Sequence, residues 1–461
     1  MANLITMPRL VVAGTASGIG KTTVMVGLTR ALRDRGLKVA VFKCGPDYLD
    51  PTYHVRAAGT TCHNLDGWMM GRDAVISTFA RACENADIAL IEGVMGIFDG
   101  ASPTSEEGST AEIAKWLNAP VMLVVDVAGM ARTLGAIVGG VAEFDRALKL
   151  AGVFCNRVGS RGHLNLLREA VSSPPVVGGL PKDANLTFPE RHLGLRTADE
   201  RAVPDSILAA IGEAIGQWCD LEAIIAAANS AAPLECALPI TITTNPSSAP
   251  ACRIGIAFDD AFHFYYEYNL NRLRSLGVEM VRFSPIADRK LPVVDGLYLG
   301  GGYPELHAEA LSDNRAMREQ IAAFAADGGT IYAECGGLMY LCSGITTLDG
   351  KSFPMAGVIA AEVIMRDRLQ ALGYVEVETR SESIIGHAGL RFRGHQFRYS
   401  ELRPTAGDLD CAYRMVRRRD GQVTPEGYHL KNVLASYVHA HWASNPGIAE
   451  GLIEACARGE T

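Results

Sequence analysis

Six short apolar runs cross the first half of the chain: Leu10–Ala13, Val39–Phe42, Ile88–Ile91, Val121–Val125, Gly152–Cys155 and Val176–Gly179. Segments with helical spacing, such as Thr22–Arg33 and Ala131–Leu148, separate them. Runs this apolar are buried on both faces, and strands joined through helices pair in parallel. The pattern predicts a doubly wound, mostly parallel α/β sheet, closed by a helical tail at about Pro204 to Ala228. Residues 229–250 then turn rich in Ala, Pro, Ser and Thr, with Glu235 the one charge, which reads as a linker. The rhythm restarts at Arg253–Phe258 and continues through Glu279–Phe283, Gly296–Leu299 and Thr330–Ala333, with more antiparallel strand further on. At 461 residues, two α/β domains are expected, 1–228 and 251–461.

A formal net charge of −8 argues against a nucleic-acid surface and leaves any anionic substrate to local Arg and Lys. The eleven Cys are scattered without a CxxC pair, which predicts reduced thiols in a cytoplasmic protein. The N-terminus does not read as a signal peptide, and the apolar stretch from Ala119 to Met130 is broken by Asp126, so no membrane partner is expected.

Between the first apolar run and the first helical pattern lies Gly14-Thr-Ala-Ser-Gly-Ile-Gly-Lys-Thr-Thr23. It is a phosphate-binding loop whose first glycine sits one place early, with Thr15 where the usual pattern has Gly. Gly18 and Gly20 let backbone amides approach phosphates, and Lys21 reaches the outer phosphates of ATP. The Thr22 hydroxyl can ligate Mg²⁺, with Thr23 beside it. Carboxylates for phosphoryl transfer and the metal are offered by Lys43-Cys-Gly-Pro-Asp47-Tyr-Leu-Asp50 and by Glu92, because loops after parallel strands converge on one crevice. Asp99 and Asp126 read better as caps or solvated groups. Asn156 ends another strand, where reading adenine and forming a turn are both open.

The second half holds Thr330-Ile-Tyr-Ala-Glu-Cys-Gly-Gly-Leu-Met-Tyr-Leu341: a strand, a cysteine at a sharp turn, and a helix opened by two glycines. This predicts a nucleophilic Cys335 whose thiolate is favoured by the helix N-terminus. Its base is sought in Ser436-Tyr-Val-His439-Ala-His441, where alternation puts both histidines on one face, one to take the proton and one to orient it. Backbone N–H groups of Gly301, Gly302 and Gly336 are the expected oxyanion donors.

Leu-Gly-Gly-Gly-Tyr-Pro-Glu, Tyr-Ala-Glu-Cys-Gly-Gly-Leu-Met-Tyr and Ser-Tyr-Val-His-Ala-His resemble the class I glutamine amidotransferases of the cobyrinate synthase type. The first half resembles dethiobiotin synthetase and its relatives through its phosphate loop, Lys-Cys-Gly-Pro-Asp-Tyr-Leu-Asp-Pro and Glu-Gly-Val-Met-Gly-Ile-Phe-Asp-Gly. Order and length together resemble the cobyrinate a,c-diamide synthase family over nearly the whole chain. The resemblance implies Cys335 as nucleophile, His439 as base, and substrates ATP, L-glutamine and a cobyrinate-type tetrapyrrole, with Mg²⁺. Most class I enzymes carry Glu two residues after the histidine, where this chain has His441. Gln396 and Arg398 likewise stand where that family has Glu and His. Hydrogenobyrinate and nickel-sirohydrochlorin are alternative substrates, a nucleotide-switch ATPase is a reading of another class, and a homodimer is compatible with the sequence.

Overall fold

The computed structural model describes residues 3–183, 186, 188, 203–236 and 250–458. The chain divides into two compact units, Met1–Thr241 and Ile242–Thr461.

The first unit is built on a seven-stranded sheet in the spatial order Cys62–Leu65, Val39–Cys44, Ile88–Glu92, Arg9–Gly14, Val121–Asp126, Leu150–Val158, Val176–Pro181. Every neighbouring pair is parallel. The six apolar runs are six of these strands. The seventh, Cys-His-Asn-Leu, is an edge strand too short and too polar to announce itself. The helix Lys21–Asp34 packs Val24, Met25, Leu28 and Leu32 into the core under the strands. The helical tail is two helices, Asp205–Trp218 and Leu221–Asn229, because the Asp220 carboxylate accepts the Ala223 N–H and starts the second.

The beginning of the expected linker 229–250 is a strand. Leu234–Cys236 pairs antiparallel with Asn3–Ile5. Leu234 and Cys236 are buried while Glu235 is exposed, a two-residue period hidden by the composition around it. Positions 237–249 of that stretch lie outside the described residues.

The second unit carries a ten-stranded mixed sheet. Glu279–Phe283, Arg253–Ala257, Gly296–Leu299, Thr330–Glu334 and Val433–Ser436 are parallel. Val423–Leu430, Cys411–Arg417, Ala371–Thr379, Arg391–Arg398 and His439–Ala440 extend the sheet antiparallel. Ser352–Pro354, Cys342–Thr346, Ile359–Met365 and Ser400–Pro404 form a separate four-stranded sheet. Thr330–Glu334 feeds two cores. Ile331 and Ala333 pack on one side with Cys335, while Tyr332 packs on the other with Tyr298 and Trp442. Among the described residues, no helix is long and apolar enough to cross a membrane.

Candidate active sites

In the first unit the phosphate loop joins Arg9–Gly14 to Lys21–Asp34. Gly20 caps the helix at φ 92°, a left-handed conformation, and a side chain there would collide with the Asn156 amide. Asn156 Nδ2 donates to Ile19 O at 2.7 Å, so this asparagine braces the loop. Gly18 is exposed at the loop's crest, and Thr22 and Thr23 are half-buried in the helix's first turn. Lys21 Nζ donates to Ala16 O and Met95 O at 2.9 and 2.7 Å. Burial, then the Lys43 charge, lower its pKa.

The carboxylates converge, and they do so around a lysine that sequence reasoning passed over. Lys43, 2% exposed, donates to Asp50 Oδ2 at 2.7 Å, Glu92 Oε1 at 2.9 Å and Gly93 O at 3.2 Å. Asp47 Oδ2 stands 3.8 Å away, and its other oxygen accepts the Leu49 and Asp50 N–H groups. Burial disfavours the ammonium, but Asp50, Glu92 and Asp47 outweigh it and hold Lys43 protonated. Burial likewise works against the Glu92 carboxylate, yet Lys43 and His54 keep it below the ordinary range. Burial and then Asp50 raise Asp47 to about 6. The Thr22 hydroxyl donates to Glu92 Oε1 at 3.0 Å, which ties the phosphate loop to this cluster. Asp99 accepts the Gly96 N–H, and Asp126 pairs with Arg157, so both are engaged locally.

In the second unit Cys335 sits between Thr330–Glu334 and Gly336–Leu341 at φ 46°, ψ −100°. A non-glycine residue holds such a conformation only when its surroundings enforce it. Here the Cys335 N–H donates to Ser436 O at 2.7 Å, and the next helix starts at once. The expected thiolate is corrected. Burial, then the Glu305 charge, push the thiol up to about 12, against the opposing pull of Arg398 and the Gly336 N–H. The helix is six residues long, and burial of the thiol outweighs it. To act as the expected nucleophile, Cys335 would therefore need a base.

His439 is 2% exposed and pairs in register with His395 across the sheet. Burial lowers its pKa to about 3, so it is a neutral acceptor at rest. A Cβ on Gly301 would lie 2.4 Å from His439 Cε1, so this glycine makes room for the ring. The Gly301 N–H donates to Phe264 O at 3.2 Å, which removes it from the expected oxyanion donors. Gly302 N lies 3.0 Å from the point where a Cβ on Gly336 would stand, which brings these two glycines together beside Cys335. His441 is engaged elsewhere. The strand ends at Ala440, and His441 Nδ1 accepts the Ala443 N–H while its ring packs against Tyr266 and Tyr268. A carboxylate does approach His439, from Glu334, whose Oε2 lies 4.0 Å from His439 Nδ1.

Gly301→Ala is expected to displace the His439 ring and, on the expectation that His439 is the base for Cys335, to lower glutamine hydrolysis by roughly 10²-fold or more. Glutamate release by the purified variant measures it; unchanged release would show that the ring has room to move.

Residues 10–195 match the CobQ/CobB/MinD/ParA nucleotide binding domain, and residues 253–447 match the CobB/CobQ-like glutamine amidotransferase domain. Fold and sites thus define a nucleotide-binding domain fused to a glutamine amidotransferase, the two α/β domains expected. The chain is 53% identical to the cobyrinate a,c-diamide synthase of Leptospira interrogans serovar copenhageni, over 98% of this chain and 99% of that one. It is 47% identical to the protein of that name from Syntrophotalea carbinolica, over 98% and 99%. The counterpart from Dehalococcoides mccartyi is 42% identical, over 97% of each chain. The chain belongs to the cobyrinate a,c-diamide synthase family and is a glutamine-dependent carbon–nitrogen ligase.

Proposed function

We propose that this protein amidates the a and c acetate carboxylates of cobyrinate in cobalamin biosynthesis, using ATP and ammonia drawn from L-glutamine. The observation that carries the reading is Cys335 held at a left-handed strand-to-helix junction in the same polypeptide as a phosphate loop. The names of relatives that match nearly end to end support the corrin substrate. In this reading residues 1–228 are the ligase and 251–461 the glutaminase. Nucleic acid and membrane play no part in this reading, and scattered cysteines without a CxxC pair suit a cytoplasmic setting.

At the glutaminase, Cys335 Sγ attacks the glutamine carboxamide as His439 takes its proton. The Gly302 and Gly336 N–H groups stabilise the oxyanion. Collapse returns the proton to nitrogen, ammonia leaves, and water releases glutamate from the thioester. At the ligase, Gly18, Gly20, Thr23 and Lys21 hold the phosphates of ATP. The substrate carboxylate attacks the γ-phosphate, ADP leaves, and ammonia then displaces phosphate from the acyl phosphate. Thr22 and Glu92 offer adjoining oxygens suited to a hard cation, with Asp47 nearby. Among the described residues no three His, Cys, Asp or Glu side chains make a metal cage, so phosphate and water would complete a Mg²⁺ shell. Bound with ATP, Mg²⁺ would neutralise phosphate charge. Lys43 is placed by this reading to meet the attacking carboxylate.

Mass spectrometry of products tests the substrate. With ATP, Mg²⁺ and glutamine, cobyrinate should gain two amides, in preference to hydrogenobyrinate and nickel-sirohydrochlorin. Amidation of only one of the other two would reassign the substrate, and no product from any would sink the reading.

A further inference from the structure

We propose that Glu334, the residue immediately before the nucleophile, positions His439 and offsets the charge this histidine acquires during glutamine cleavage. The inference deepens the glutaminase reading and rests on it.

Glu334 leaves its strand on the side opposite the Cys335 core and enters a closed aromatic layer with Tyr298, Tyr332 and Trp442. Its carboxylate is fixed there by three donors. Tyr332 Oη and the Ala440 N–H reach Oε1 at 2.9 and 3.1 Å, and Tyr298 Oη reaches Oε2 at 3.1 Å. The Ala440 bond ties Glu334 to the residue after His439, so one carboxylate links the strand bearing the nucleophile to the strand bearing its base. Oε2 accepts one of these bonds where Oε1 accepts two, and Oε2 is the atom 4.0 Å from His439 Nδ1. With Nδ1 facing Glu334, Nε2 is assigned the thiol proton in this proposal.

The chemistry makes this arrangement consequential. As the Sγ–C bond forms, the thiol proton moves to His439 Nε2 and the carbonyl electron pair moves to oxygen. A buried imidazolium results, and a lone buried cation is strongly disfavoured. The Glu334 carboxylate offsets that charge. At 4.0 Å the pair is longer than a hydrogen bond and contracts when the ring becomes charged. When ammonia departs with the proton, His439 returns to neutral and the attraction relaxes.

The surroundings give the arrangement a pH signature. The ionisable groups facing Glu334 are Tyr265, Tyr298, Tyr332, Tyr413, Cys335 and His439. Burial leaves each of these neutral at pH 7. Burial also raises Glu334 to about 7, against the pull of its three hydrogen bonds. The anionic fraction therefore grows as pH rises through 7, and glutaminase kcat should grow with it.

The test uses the full chain. Glu334→Gln should lower glutaminase kcat on the order of 10²-fold with KM for glutamine unchanged, and should remove the rise near pH 7. Glu334→Asp should recover part of the rate and of the pH limb. Ammonium-supported amidation should persist in both, which reports a folded ligase, while the unchanged KM for glutamine reports a folded glutaminase. Wild-type kcat and pH profile in Glu334→Gln would overturn the proposal. So would equal losses in the Gln and Asp variants with the pH limb unmoved. The glutaminase reading itself fails by a different result: full glutamate release from Cys335→Ser.

Discussion

Cys335→Ser should lower glutamine-dependent amidation by roughly 10⁴-fold or more, a scale set by removal of other enzyme nucleophiles. Amidation supported by ammonium chloride should stay within about twofold of wild type, since the ligase steps use no thiol. Serine meets the same backbone demand at φ 46° and fills nearly the same space, so the junction should survive. The nucleophile is what changes. Burial pushes the Cys335 thiol up to about 12, so in the proposed reading His439 must take its proton, and an equally buried alcohol is harder still to ionise. The two assays, glutamate release and amide formed with added ammonium, must separate. Joint loss would mean that Cys335 holds the unit together, and joint survival would mean that another group cleaves glutamine.

Lys43→Met should be the most damaging single change in the first unit. It removes the cation between Asp50 and Glu92 and leaves two buried carboxylates one counter-charge short. Breaking a buried pair in this way destabilises by about 3–5 kcal/mol. For a unit of this size that lowers the first thermal transition on the order of 10 °C. The loss has a defined pH dependence. Glu92 is held below its unfolded pKa, so its contribution is present above the ordinary carboxylate range and disappears as pH falls through its lowered folded value. The variant has already lost that contribution, so the gap to wild type should narrow in acid. Calorimetry from neutral to acidic pH would show this, and a constant gap would locate the damage in packing. Adding Glu92→Gln should recover part of the stability by removing one of the two buried negative charges that Lys43 had balanced. ATP-dependent amidation should be absent in both variants.

Much of the architecture was legible because buried parallel strands are written as apolar runs. The six runs, the phosphate loop and the Cys-Gly-Gly turn are local patterns that do not depend on distant residues. The losses share a different cause. Cys62–Leu65 and Leu234–Cys236 are short strands at sheet margins, and their pairing partners, not their composition, make them strands. Lys43 lay inside a quoted motif, yet its importance comes from carboxylates at 47, 50 and 92 meeting it in space. Glu334 was hidden by its neighbour Cys335, because adjacent strand residues face opposite sides and serve different layers. The thiolate expectation missed the burial of Cys335, since a helix start is visible in sequence and burial by distant residues is not.

The pairing of Asn3–Ile5 with Leu234–Cys236 also bears on how such a chain can be assembled. It closes a ladder between segments far apart in sequence, Asn3 opposite Cys236. Bringing such distant segments together costs loop-closure entropy that the intervening fold must offset first, so this small sheet should order after the seven-stranded one.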